Sequence, residues 1–137
     1  MDYQKLMDAR NNAYSFRNLF GIKVVEIKEG YVVCEMEVKE EYENQIHSVA
    51  GGCIYTLADS AAGTVCACYG HVAPTVNADF HYLNSALNCK KLFAYAKEVK
   101  HGKRMSVIEV EVKDQDGKLI SLGVFTFAYL EKEIDYL

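Results

Sequence analysis

A chain of 137 residues, half of them hydrophobic and a quarter charged, can build one domain around a proper core and is too short for two comfortable ones. Its formal net charge of -4, with no long run of either sign, argues against a nucleic-acid partner, which would call for a basic face. No apolar stretch is long enough to cross a bilayer and the opening MDYQKLMDARNNAY is too polar for a secretory signal, so a cytoplasmic location with no membrane partner is expected.

In chain order, the spacing of Leu6, Ala9, Ala13 and Phe16 predicts a short helix within residues 1–20. From Ile22 the period changes to two. GIKVVEI and YVVCEMEV flank the turn Lys28-Glu29-Gly30, and Cys34, Met36 and Val38 alternate with Glu35 and Glu37, which predicts a hairpin. A polar connection, EEYENQIHS, leads into a long helix over residues 49–69, rich in alanine and other small residues. TVNADFHYL, LFAYAKEV, MSVIEVEVK and LISLGVFTFAYL then read as four strands. They are broken at 88–91, at His101-Gly102-Lys103 and at the turn Asp114-Gln115-Asp116-Gly117. This order gives an α+β domain over residues 1–137, a mostly antiparallel sheet with one helix on its face.

The cysteines are Cys34, Cys53, Cys66, Cys68 and Cys89. Five is an odd number and most lie in apolar runs, so they read as buried thiols of a reducing compartment. Cys66 and Cys68 have no second pair at zinc spacing, and two residues apart on a helix they point to different faces, so no metal is expected.

A helix wrapped by a sheet is apolar nearly all round, and residues 49–69 fit that pattern apart from Asp59 and a few small hydroxyls. No basic residue lies within four positions of Asp59. A buried carboxylate must be paired, protonated or facing a cleft, and such groups gather at functional sites. The plainer reading is a surface aspartate bonded to Thr56, Ser60 or water.

NQIHSVAGGCIYTLAD, residues 44–59, resembles the acyl-CoA thioesterases of the hotdog fold, specifically the PaaI-like type of phenylacetate degradation. Asn44, Gly51, Gly52, Leu57, Ala58 and Asp59 match the family pattern at its spacing. PTVNADFHYLNSA and GKRMSVIEVEVKDQDGKLIS resemble later family strands, and the likeness runs from about residue 20 to about 130. It implies an antiparallel sheet wrapped around a long central helix, in dimers with two sites at the interface that often double into tetramers. The chain departs at two places. Ala50 stands where the family has a histidine that helps orient the substrate carbonyl, and His47 stands where a glycine is usual. His47 is a candidate substitute for that histidine, although a solvated loop histidine is the plainer reading.

Thioester hydrolysis needs a group that attacks or activates water, and a donor for the developing oxyanion. Asp59 suits the first need, as nucleophile or general base. The backbone N–H of Gly51, at a helix N-terminus, suits the second. Gly52 beside it lets a ligand approach closely. Gly51 and Asp59 are eight residues apart, about 12 Å along a helix, so both can reach one carbonyl only from different copies of the chain. The resemblance further implies contacts from Asn44, to substrate or lytic water, and from Thr75, near the carboxylate. Lys90, Lys91, Lys103 and Arg104 lie at loop positions suited to the phosphates of coenzyme A, which enters as part of the substrate with no separate cofactor. Tyr55, Tyr69, Phe80 and Tyr82 are candidates for lining an acyl pocket. Two other readings stand beside the acyl-CoA thioesterase. Ala50 favours a non-catalytic acyl-CoA-binding module. A dehydratase or hydratase of the same fold would need a histidine near Asp59 that the sequence does not show.

Overall fold

The computed structural model describes residues 1–137. The N-terminal segment is not one helix. Helix α1 spans Tyr3–Asn11, and after a break a separate 3-10 turn covers Phe16–Phe20. The Asp2 side chain caps α1 by accepting from the Lys5 N–H, and Leu6 is the α1 residue that buries fully.

Strands β1 (Lys23–Lys28) and β2 (Tyr31–Glu37) form the expected hairpin, with Gly30 at φ +71 in its turn. The central helix, α2, is shorter than the spacing predicts and runs Gly51–Ala67. Its ends fall inside the apolar run because Ala50 is extended, with ψ 136, and Gly70 turns left-handed at φ +83. Then come β3 (Thr75–Tyr82), β4 (Lys91–His101), β5 (Met105–Asp114) and β6 (Leu119–Ala128). The sheet order is β1-β2-β4-β5-β6-β3 and every pairing is antiparallel. Asp114 Oδ1 accepts from the N–H groups of Asp116 and Lys118, which shapes the β5–β6 turn around Gly117.

Four register shifts, at Val24/Glu26, Glu98/Lys100, Val112/Lys113 and Thr75/Asn77, let the sheet curl. The curled sheet holds α2 in its hollow, the wrapped arrangement that the family resemblance implies. Leu57, Ala58, Ala61, Ala62 and Val65 are fully buried against Met36, Leu92, Ile108, Val110 and Phe125. The alanines keep helix and sheet close. On β6, Gly123 makes room for Phe80 of β3, whose ring lies where a side chain would start, 2.4 Å from the position of a Cβ. All five cysteines are buried free thiols. Burial pushes the Cys34 and Cys66 thiols up to about 12. No helix is long and apolar enough to cross a membrane.

One side of α2 is left uncovered. Gly52 is exposed, and Tyr55, Thr56, Asp59 and Gly63 are only partly buried. At helical spacing these residues form a single stripe. Beside it runs β3, an edge strand whose Val76 and Tyr82 are each more than half exposed.

Candidate functional site

Asp59 sits on this stripe, half-buried, at the wall of a cavity of about 530 Å³. The Thr75 hydroxyl, from the start of β3, donates to Asp59 Oδ1 at 2.9 Å. Tyr55 stands one helical turn before Asp59 on the same wall, its ring edge-on to Phe80 at 5.6 Å. Thr56 is not a partner of the carboxylate, since its hydroxyl donates to Gly52 O at 2.8 Å.

Burial is the main influence on Asp59 and raises its carboxyl above the ordinary carboxylate value. The Thr75 hydrogen bond and the positive charge of Arg10 oppose it in the other direction. The sequence shows no cation within a helical turn of Asp59. The fold supplies one, because α1 packs against β1 and Arg10, in its last turn, reaches the cavity. Arg10 lies before the region of resemblance, and nothing in its spacing marks it. Ile134 and Tyr136, which close the same cavity from the C-terminal segment, are equally unmarked.

The α2 N-terminus has a different geometry. Ala50 is the N-cap and gives no side-chain hydrogen bond, and neither the Gly51 nor the Gly52 N–H donates to a group in the chain. These are two of the donors that every helix start leaves unsatisfied. The Tyr82 hydroxyl donates to Gly51 O at 2.9 Å, and its ring lies 3.2 Å from where a Cβ on Gly51 would be. Tyr82 therefore packs over the helix start and not in the cavity. Tyr69 is also elsewhere, donating to Glu98 Oε1 at 2.6 Å and stacking on His101.

Asn44 shapes the loop that delivers this terminus. Its Oδ1 accepts from the N–H groups of Ile46 and Ser48, at 3.0 and 3.1 Å. His47 has φ +58, a left-handed conformation that gives a physical reason for the glycine usual at this position in the family. Its ring pairs with Glu43 at 3.4 Å and is largely exposed.

The four basic candidates separate into two pairs. Lys91 reaches Glu35 at 3.7 Å, and the backbone N–H groups of Lys90 and Lys91 both donate to Gln115. Lys103 and Arg104 line a second cavity, of about 940 Å³, at the β4–β5 turn. The pairs stand at opposite ends of the 11-residue β4, about 30 Å apart at strand rise, so one chain does not bring them to one nucleotide. No group of three or more His, Cys, Asp or Glu side chains is arranged to hold a metal ion.

The sequence model of the thioesterase superfamily matches residues 47–121. The chain is 31% identical to human acyl-coenzyme A thioesterase 13 over 127 residues, 90% of this chain and 91% of that protein. The Escherichia coli PaaI protein, from the phenylacetic acid degradation operon, has the same fold, with a TM-score of 0.89 at 24% identity over 97% of this chain and 96% of that one. A Streptococcus mutans protein crystallised with acetyl CoA superposes with a TM-score of 0.81 at 26% identity, over 90% of this chain and 100% of that one.

Proposed function

The chain belongs to the thioesterase superfamily, and from that premise we propose that it hydrolyses an acyl-CoA thioester to a free acid and coenzyme A. One observation carries this reading. On its one uncovered stripe, a largely buried helix holds a carboxylate at the wall of a cavity, hydrogen-bonded by Thr75, in the segment where the chain matches its family. The relatives' names and the acetyl CoA held by a neighbour of the same fold support the substrate class.

Asp59 attacks the thioester carbonyl or takes a proton from the water that does. The Gly51 N–H of a second copy donates to the oxyanion. As the tetrahedral intermediate collapses, the C–S bond breaks and the thiolate of coenzyme A leaves, to be protonated. Where water attacks, the free acid forms directly; where Asp59 attacks, water then hydrolyses the acyl–Asp59 anhydride, releasing the free acid and restoring the carboxylate. Thr75 holds the carboxylate in place, while Asn44, Gly52 and His47 shape and flank the loop at the helix start. Lys103 and Arg104, or Lys90 and Lys91, take the nucleotide phosphates. No cofactor is required beyond the coenzyme A of the substrate. The protein is then a cytoplasmic homodimer or dimer of dimers. The exposed edge of β3 and the uncovered stripe of α2 support that assembly, since an open, partly apolar sheet edge invites pairing.

Thiol release from a panel of acyl-CoAs, short aliphatic to aryl, tests the reading. Turnover of at least one is the expected result. Binding of the panel with no release from any member would overturn it in favour of the acyl-CoA-binding module that Ala50 suggests.

The pH dependence follows from the shift at Asp59. Either role needs the ionised carboxylate, so kcat/KM falls as pH drops through a pKa above the ordinary carboxylate value. Thr75→Val removes the hydrogen bond that favours the charged form. Its acid limb should move to higher pH, and its rate at neutral pH should fall by roughly tenfold, the worth of one hydrogen bond to a charged group. A pH–rate profile superimposable on the wild type would remove Thr75 from the site.

A further inference from the structure

We propose that the cavity beside Asp59 selects acyl groups that carry a carboxylate at their far end, received by the guanidinium of Arg10. This names a substrate class for the thioesterase site and rests on that reading of it.

Three buried side-chain polar atoms in the chain have no hydrogen-bond partner: Arg10 Nε, His71 Nδ1 and Ser121 Oγ. Two of the three belong to residues lining this one cavity. Buried polar atoms are nearly always partnered, so two orphans on one cavity point to a ligand that completes them. Arg10 Nε can only donate, so the missing partner is an acceptor.

The charge balance points the same way. Arg10 and Arg17 both line the cavity, and neither has a carboxylate within salt-bridge distance. Arg17 is occupied in part, donating through Nη2 to Arg10 O at 2.6 Å. Burial lowers it to about 10, still well above neutral pH, so it remains a cation. Arg10 makes one side-chain hydrogen bond, from Nη1 to the Tyr136 hydroxyl at 3.3 Å. Two guanidinium groups sharing a partly buried cavity with no salt-bridge partner favour an anion, and a carboxylate matches the fork of an arginine.

The position suits an acyl terminus. Arg10 Nη2 lies 3.9 Å from where a Cβ on Gly63 would be, so it rests on α2 four residues beyond Asp59. Four residues are about 6 Å of helix, which a spacer of roughly four to five carbons covers. Phe16, Tyr55 and Phe127 supply apolar wall for that spacer, and the volume of about 530 Å³ is in the range of small-molecule sites.

The test compares adipyl-CoA with hexanoyl-CoA, which share a six-carbon chain and differ in the distal carboxylate. The wild type should favour adipyl-CoA in kcat/KM by at least about tenfold, mainly through KM. In Arg10→Met that ratio should fall to near one or below, and Arg10→Lys, which keeps the charge and loses the fork, should retain part of it. The ratio is the readout because Arg10 also influences Asp59, an effect common to both substrates. A wild type that favours hexanoyl-CoA, or a ratio unchanged in the variants, overturns the proposal. Should Arg10→Met fail to fold, the wild-type ratio and Arg10→Lys decide. If neither thioester is hydrolysed, calorimetry with the same two ligands decides the inference, while the wider acyl-CoA panel decides the thioesterase reading. Tighter binding of adipyl-CoA that weakens on losing Arg10 upholds it, and equal binding overturns it.

Discussion

Asp59→Asn is expected to reduce thioester hydrolysis by at least about 10³-fold while leaving the fold and the assembly intact, because the amide can neither attack a carbonyl nor take a proton from water. The substitution is nearly isosteric, and the Thr75 hydroxyl can still donate to the amide oxygen, so the geometry of the site is preserved. Its effect on stability runs opposite to its effect on rate. The folded state holds the Asp59 carboxyl above its ordinary value, so folding favours the protonated form there. That contribution is present at low pH and is lost as pH rises through the folded pKa, leaving the ionised group a net cost at pH 7. Removing the charge should therefore leave the melting temperature at pH 7 unchanged or higher. Stopped-time thiol assays and thermal melts on the same preparations read both quantities. A rate within tenfold of the wild type would exclude Asp59 as nucleophile or base, and a lower melting temperature would show that the carboxylate stabilises the fold.

Gly51→Pro is expected to lower kcat by roughly 10²- to 10³-fold, the usual effect of deleting one oxyanion donor. Gly51 is the first residue of α2, a position where proline is well tolerated, and its N–H has no acceptor in the chain. Ala50, at φ -59 and ψ 136, already has the conformation required before proline. Only the Tyr82 ring, more than half exposed, must yield to the new side chain. The variant thus removes the donor with little other disturbance. It also makes the shared site testable. Mixed with Asp59→Asn, it should form heterodimers with one intact site, built from the aspartate of one chain and the glycine of the other. Random pairing makes half the dimers mixed, each with one of its two sites working, so activity should return to about one quarter of the wild type. No recovery from two individually inactive variants that do exchange subunits would rule out a site shared between copies.

How much of this was legible in advance varies by element. Period-two alternation in 22–38 and after Thr75, with turn residues at Gly30 and Gly117, was enough for the strands, since the contacts between neighbouring strands follow from local pattern. The run of small apolar residues was enough for a buried helix, and a lone carboxylate on it was enough to single out Asp59. The ends of α2 differ from those its apolar run predicts because termini depend on one or two backbone angles, at Ala50 and Gly70, that periodicity does not register. The N-terminal helix is shorter than its apolar spacing predicts because a 3-10 turn continues that spacing after the hydrogen-bond pattern has changed.

The sequence alone thus settles the class of fold, the long central helix and the carboxylate near its middle on which the proposed activity rests. Each of these rests on residues close in the chain. The surroundings of that carboxylate were decided by tertiary structure alone. Thr75 reaches Asp59 from 16 residues away, Arg10 comes from another helix and Tyr136 from the far end of the chain. The same holds for the basic residues, whose loops look equivalent in sequence until β4 sets them at its two ends. Local pattern follows from backbone geometry and burial. Which distant side chains converge on one cavity follows from how the curled sheet and its flanking segments close around α2, and that is a property of the packed chain.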